Sequence, residues 1–460
     1  MYQIDFEKKG HIYFMGIGGI SMSGFAELLN KQGFIISGSD QKESSLTKHL
    51  ESVGIQVKYG QCKENITSDI DLVVYTAAIS KDNEEYQAAV NAGIPMMDRA
   101  EMVGQVMKNY ARSIAISGTH GKTTTTSMVS HIFLAAKLDP TISVGGILKA
   151  INGNLRIGQS ENFITEACEY TNSFLKFHPT INLILNIEED HLDFFKDLKD
   201  IRNSFMKFTD LLPETGLLII NGDIDNYQEI SAHCKGDVLT YSITDKNCNY
   251  AAANIAYDNL GHGSFDVLEN GENIGHVSLS VVGEHNIGNA LSAIALSRYL
   301  HISMDVICEG LKAFEGTDRR FQYKGEIHGV TIIDDYAHHP TEIAATLEAA
   351  KKYPHKTTWC VFQPHTYTRT KAFLNEFAEA LSKADKVVLA SIYAAREVDP
   401  GDISSADIME LIRDLGTEAY YFDTFEEIEE FLLKNCVTGD LLITMGAGDV
   451  VKIGESLLGE

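Results

Sequence analysis

The eight residues Ser117-Gly118-Thr119-His120-Gly121-Lys122-Thr123-Thr124 combine a glycine turn, an ammonium group and a row of hydroxyls. The apolar run Ser113-Ile114-Ala115-Ile116 before them reads as a short buried strand. Behind them Met128, Val129, Ile132, Phe133 and Ala136 share one face of a helix. A strand, a tight turn and Lys-Thr at a helix start wrap backbone N–H groups around a phosphate chain. Gly118, Thr119, His120, Gly121 and Thr124 form the loop. Lys122 supplies a point charge for the β- and γ-phosphates, and the Thr123 hydroxyl is placed to ligate Mg²⁺. The loop is shorter than the usual G-x-x-x-x-G-K-[ST], because Ile116 takes the place of the first glycine. That counts against ordinary kinases and GTPases but not against ATP binding.

Other chemistry-bearing residues fall where strands should end, which is where ligands sit in an open α/β sheet. Glu166 closes the run Phe163-Ile164-Thr165 and is a natural Mg²⁺ ligand beside Thr123. Glu169, close by, reads as a residue of a solvated acidic loop. His191 follows Ile181 to Ile187 and would complete a second metal site or neutralise phosphate charge. Asp334-Asp335-Tyr336-Ala337-His338-His339-Pro340 is the next dense cluster. A dinuclear hydrolase needs several such clusters, so these groups are expected to line a cleft between domains. Arg369, after Gln363-Pro364-His365, suits bidentate capture of a carboxylate. Arg319 and Arg320, at an expected interdomain joint, are placed to reach phosphates when domains close.

The elements that must position these groups point to an α/β fold of three domains: residues 1–109, 110–317 and 318–460. The 460-residue chain is too long for one ordinary core. The first segment opens with the strand His11-Ile12-Tyr13-Phe14-Met15 and the turn Gly16-Ile17-Gly18-Gly19-Ile20-Ser21-Met22-Ser23-Gly24. A second strand from Phe34 ends at Asp40. This is a Rossmann-like βαβ opening. A G-x-G-x-x-G reading would set Asp40 on a ribose, but Ser21 holds the third glycine's place, so the turn is read as a pyrophosphate site without a nicotinamide. Leu72-Val73-Val74-Tyr75 is a third strand, and Arg99 opens a later helix. The second segment should carry a mostly parallel sheet, with residues 217–282 as an antiparallel ribbon. The third should be doubly wound with about five strands: Val330 to Asp334, Thr358 to Phe362, Val387 to Ile392 and Leu441 to Met445 among them.

Composition narrows the function classes. An apolar content of 44% with 22% charged residues fits a soluble globular protein. A net charge of −26 argues against nucleic acid or an anionic membrane as partner. Seven scattered cysteines without a C-x-x-C pair, and an opening segment without an apolar signal core, point to the cytoplasm. No apolar run approaches a membrane span.

Together the motifs resemble the Mur ligases of peptidoglycan synthesis, and the alanine-adding branch in particular. The resemblance rests on 16–24, on 118–126, on Asn-Ile-Glu-Glu-Asp-His-Leu-Asp at 186–193 and on His-Asn-x-x-Asn at 285–289. It rests further on Arg-Arg-Phe at 319–321, on 334–342 and on Met-Gly-Ala-Gly at 445–448. It implies an ATP- and Mg²⁺-dependent ligase joining L-alanine to UDP-N-acetylmuramate, as a monomer or homodimer. Gly16, Gly18, Gly19, Ser21, Met22, Ser23, Asp40 and Arg99 would then serve the UDP-sugar. Lys122 would hold the phosphates, with Thr123, Glu166 and His191 at the metals. His285, Asn286 and Asn289 would contact adenine, Asp335 the ribose, and Arg320 the γ-phosphate. Tyr336, His338 and Arg369 would receive the amino acid, whose amine enters near His338 and gives up its proton there.

Three departures accompany the resemblance, one being that the acidic segment reads Glu166-Ala167-Cys168-Glu169, where an aspartate often precedes the second glutamate. Related ligases carry a carbamoylated lysine where this chain has Phe205 and Met206, with Lys207 beyond, and the alanine-adding branch is similar in lacking it. Thr366 stands where many relatives have arginine, which shifts the carboxylate contact to Arg369. The rival readings are a ligase that attaches a preformed peptide in wall recycling, an NAD-linked oxidoreductase and a silent nucleotide-binding regulator.

Overall fold

The computed structural model describes residues 2–192, 194–395 and 397–459. Three sheets follow one another along the chain. The first is five-stranded and parallel, in the order Gln56–Tyr59, Ile35–Asp40, His11–Met15, Leu72–Tyr75, Met96–Asp98. The chain reverses its winding direction beside His11–Met15. The crevice at the C-terminal ends of these strands is therefore the expected ligand position. The glycine turn Gly16–Gly19 and the helix Ile20–Lys31 open there.

The second sheet has ten strands, and its centre explains the phosphate loop. Arg112–Ser117 lies between Ile181–Ile184 and Asn162–Ala167, parallel to both. Ile114, Ala115 and Ile116 are fully buried, as continuous apolar runs in parallel strands covered on both faces should be. Ile116 is thus committed to the sheet, and the loop begins only at Gly118. The segment 217–282 corrects the ribbon expectation. Leu217–Asn221 and Asp237–Ser242 extend the parallel sheet through a crossover helix, Tyr227–Ser231. Leu217 to Ile220 are buried on both faces, which marks them as parallel. Only Tyr250–Tyr257, His262–Glu269 and Glu272–Val282 form an antiparallel meander. The strand Ile181–Ile184 is shorter than expected, and Thr141–Leu148 with its partner Gly153–Arg156 closes the other edge.

The third sheet has six strands rather than about five. Five are parallel, and Gln322–Ile327 adds an antiparallel edge through the turn at His328-Gly329. The strand expected over Val387 to Ile392 stops at Leu389.

The first and second domains share a core. Phe25 meets Phe163 with ring centroids 6.4 Å apart, and one hydrophobic cluster runs from Ile4 through Phe163 to Phe208. The helix Arg99–Met107 approaches residues 170–176 so closely that a Cβ on Gly104 would stand 1.9 Å from the Lys176 carbonyl oxygen. Only glycine fits there. Among the described residues no helix is long and apolar enough to cross a membrane.

Candidate active site

The phosphate loop is held from below by the end of the neighbouring strand. His120 N–H donates to Asn186 Oδ1 at 2.7 Å, Asn186 Nδ2 donates to the His120 carbonyl at 3.1 Å, and Glu188 N–H donates to Thr119 Oγ1 at 2.9 Å. Gly121 takes φ +81°, and an added Cβ would meet Asn289 Oδ1 at 2.7 Å. The helix His285–Tyr299, which carries Asn286 and Asn289, therefore presses directly on the turn. Lys122 opens the helix Lys122–Ala135, and its ammonium folds back to donate to the Gly118 and Thr119 carbonyls.

Glu169 corrects the expectation of a solvated acid. Its side chain is only 2% exposed, and its Oε2 lies 3.1 Å from Lys122 Nζ. Burial opposes the lysine's charge, but Glu169 more than offsets this and raises Lys122 above its ordinary value. His191 takes φ +53°, stacks on Tyr170 at 4.5 Å and places Nε2 3.8 Å from the other Glu169 oxygen. Glu169 thus stands between the lysine and the histidine. Glu166 instead accepts the Gly145 N–H at 2.6 Å, and Thr123 lies against Gly146 of the same strand.

Two cavities flank this centre. One of about 490 Å³ is lined by His120, Gly121, Thr124, His285, Asn286, Asn289, Arg320 and Asp335. It brings together eight of the residues expected around ATP, from the loop, from the helix His285–Tyr299 and from the third domain, while Gly118, Thr119, Lys122 and Thr123 do not line it. His285 is held neutral here: burial, then the Arg320 charge, lower it to about 4. Asp335 accepts the N–H groups of Phe321 at 2.7 Å and Ala337 at 2.8 Å, while burial pushes it up to about 6. The two arginines separate. Arg319 is consumed by Asp334 at 3.0 Å and by the Gly446 carbonyl, whereas Arg320 lines the cavity.

The other cavity, of about 350 Å³, is lined by Asp190, His191, Tyr336, His338 and Arg369 among others. Arg369 Nη2 donates to Asp190 Oδ1 at 3.0 Å across the domain boundary. Burial opposes the charge of Asp190, but Arg369 and then His191 hold it well below the usual carboxylate range. Thr366, at φ +65°, caps the short helix that carries Arg369.

In the first domain Arg99 Nη1 lies 3.4 Å from Ser21 Oγ, so these two residues do share a corner of the crevice. Asp40 accepts the Gly18 N–H on one oxygen and the Gln41 N–H on the other, each at 2.8 Å, which ties it to the glycine turn. Met22 and Ser23 turn inward, 2% and 6% exposed. What the helix offers an anion is the unpaired N–H groups of its first turn.

Among the described residues, the histidines and carboxylates close enough to share an ion are His120, Glu188 and His339, with ligand atoms within 4.8 Å. That group is occupied as an ionic network. Burial disfavours a charged His120, yet Glu342 at 3.2 Å and Glu188 at 3.6 Å raise it to about 9. Sequence reasoning passed over Asp190, Glu188 and Glu342. Their only signal was membership of quoted motifs. Asp193, the last residue of the 186–193 motif, lies outside the described residues.

A phosphate loop between a glycine-turn domain and a third α/β domain, with a cavity on either side of the Lys122–Glu169–His191 centre, defines a three-domain nucleotide-dependent enzyme. Residues 11–111 match the Mur ligase family, catalytic domain; 116–297 match the Mur ligase middle domain; 319–448 match the Mur ligase, glutamate ligase domain. The chain is 61% identical over 458 residues to the UDP-N-acetylmuramate–L-alanine ligase of Agathobacter rectalis and 59% identical to that of Lachnospira eligens, covering 100% of each pair. It superposes on the UDP-N-acetylmuramate-alanine ligase of Thermotoga maritima with a TM-score of 0.79 at 29% identity, over 98% of both chains. A murein peptide ligase from Psychrobacter arcticus shares the fold, with a TM-score of 0.69 at 24% identity. The chain belongs to the Mur ligase family.

Proposed function

We propose that this chain joins L-alanine to the lactyl carboxylate of UDP-N-acetylmuramate, consuming ATP and forming ADP and phosphate in the cytoplasm. The observation that carries this reading is the full-length likeness to enzymes bearing that name, at up to 61% identity. The geometry supports it, because Arg320 lines one cavity and Arg369 the other, with the phosphate loop residues His120, Gly121 and Thr124 lining the first.

A carboxylate resists attack by an amine because oxide is a poor leaving group. Transfer of the γ-phosphoryl group to a carboxylate oxygen gives an acyl phosphate and ADP. The amine nitrogen then adds to the acyl carbon, the C–O bond to phosphate breaks, and the nitrogen loses one proton. Lys122 holds the phosphate chain, and Arg320 meets the γ-phosphate as charge spreads over its oxygens. Both cations then stabilise the tetrahedral oxyanion. Arg369 orients the alanine carboxylate by exchanging Asp190 for it, and His338 takes the amine proton. The crevice beside Ser21 and Arg99 holds the UDP-sugar. Thr123 and Glu166 offer hard oxygen donors beside the phosphate loop, which suits Mg²⁺; the ion would offset phosphate charge. His191, already facing Glu169, suits a second ion beside it.

The test is phosphate release from ATP and Mg²⁺ with UDP-N-acetylmuramate and a panel of L-alanine, glycine, L-serine and an L-Ala-D-Glu-containing tripeptide. Release that needs the UDP-sugar and is fastest with L-alanine is expected. Release with the tripeptide alone would move the chain to the recycling branch of the family.

A further inference from the structure

Glu342 lies in the first turn of the helix Pro340–Ala350, with its side chain 12% exposed. Its Oε1 is 3.2 Å from His120 Nδ1 in the phosphate loop and 3.6 Å from Arg320 Nη1. Its Oε2 accepts the His338 backbone N–H at 3.1 Å and lies 3.3 Å from His338 Nδ1. One buried carboxylate therefore joins the loop of the second domain, the arginine at the domain joint and the wall of the amino-acid cavity.

We propose that Glu342 is a positioning residue that couples the nucleotide cavity to the amino-acid cavity, by sharing its two oxygens between His120 and Arg320 on one side and His338 on the other. The coupling rests on the roles given above to Arg320 and His338. A carboxylate this deeply buried requires cationic partners. His120 and Arg320 supply them. A γ-phosphate arriving at the loop competes for both cations, and the charge of Glu342 is then left to His338. His338 Nδ1 sits between two acceptors, the Tyr336 carbonyl at 3.0 Å and Glu342, so the ring proton is on Nδ1 and Nε2 is the acceptor. The amine proton moves to Nε2, and the imidazolium that forms is stabilised by Glu342. Even with Glu342 beside it, burial and the Arg369 charge hold His338 down to about 4, so it stays a weak base until Glu342 bears on it alone. Proton acceptance thereby becomes strongest when ATP is in place.

The other titratable groups around this carboxylate are His285 on the helix His285–Tyr299, Asp335 at the end of Val330–Asp335, the neighbouring His339, and Glu188 across from His120. Burial opposes the charge of Glu342 itself, but His338, His120 and Arg320 together hold it well below the ordinary glutamate range.

The full chain with ¹³C-labelled histidine tests the coupling, comparing wild type, Glu342→Gln and Glu342→Asp. In the ligand-free wild type the His120 ring should titrate near 9. In E342Q its proton affinity should fall at least about tenfold. In turnover E342Q should lose about 10- to 100-fold in kcat, with KM for the UDP-sugar within about twofold of wild type and the acid limb of kcat moved to lower pH. E342D keeps the charge and should recover part of kcat. An unchanged His120 titration in E342Q overturns the proposal. So does a kcat within about twofold of wild type with an unmoved acid limb, and so does failure of both variants to fold, which would make Glu342 structural. If the wild-type enzyme releases no phosphate, the functional reading fails, while the His120 titration still judges the hold of Glu342.

Discussion

Replacing Lys122 with alanine should do two separable things. It removes the cation that meets the phosphates, and it strands Glu169, whose side chain is 2% exposed. Among the described residues Glu169 then keeps only His191 as an ionic partner, 3.8 Å away, whose own charging is opposed by burial. Deleting one member of a buried ion pair costs about 3–5 kcal/mol. For a domain of this size that corresponds to a fall of roughly 6–20 °C in the melting temperature of the central unit. Turnover should drop by at least about 10³-fold, the scale of removing a principal electrostatic contact at the reacting phosphate. The double variant K122A/E169Q separates the effects: the neutral amide no longer needs the ammonium, so most of the stability should return while activity stays lost. Scanning calorimetry and phosphate release on the wild type, both single variants and the double variant close the cycle. Equal melting temperatures for K122A and K122A/E169Q would refute the argument that Glu169 is a buried charge held by Lys122. Near-normal turnover in K122A would refute the phosphate assignment itself.

Arg369→Lys keeps a charge but loses the planar fork, so KM for alanine should rise at least about tenfold with KM for ATP unchanged; equal rises in both would place Arg369 elsewhere. Arg99→Ala should weaken the UDP-sugar alone, which binding calorimetry with UDP-N-acetylmuramate and with an ATP analogue can read separately. The pH dependence of stability has a defined sign at His285, which falls from 6.5 unfolded to about 4 folded. Between those values the unfolded chain binds more protons, so stability rises with pH across that window, by up to about 3 kcal/mol for this one group. His285→Gln should flatten the slope of melting temperature against pH between 4 and 6.5, and an unchanged slope would show that the ring is not buried in its neutral form.

The phosphate loop was legible because every part of it is local. The strand, the turn and Lys122 are contiguous, and hydrophobic periodicity marks both flanks. The strands Thr358–Phe362 and Leu441–Met445 were equally plain, being short apolar runs buried on both faces. The edges were not. Gln322–Ile327 is half-buried and polar, and Gln56–Tyr59 and Met96–Asp98 are short, so their pairing depends on partners far away in sequence. The segment 217–242 was misread because its two strands are joined by a helix of only five residues, too short to stand out in the pattern, and that helix makes the crossover parallel.

The sequence by itself determined which residues could meet phosphate, since backbone geometry at a glycine turn and the charge of Lys122 are properties of a few adjacent residues. It also determined three α/β units in series, because the spacing of apolar runs sets strand and helix lengths. Only the tertiary structure decided which charges are buried against one another. Glu169 beside Lys122, Asp190 beside Arg369 and Glu342 beside His120 join residues 47, 179 and 222 positions apart. Ion pairing and desolvation depend on distance and burial in space, and neither is written in the local pattern of the chain.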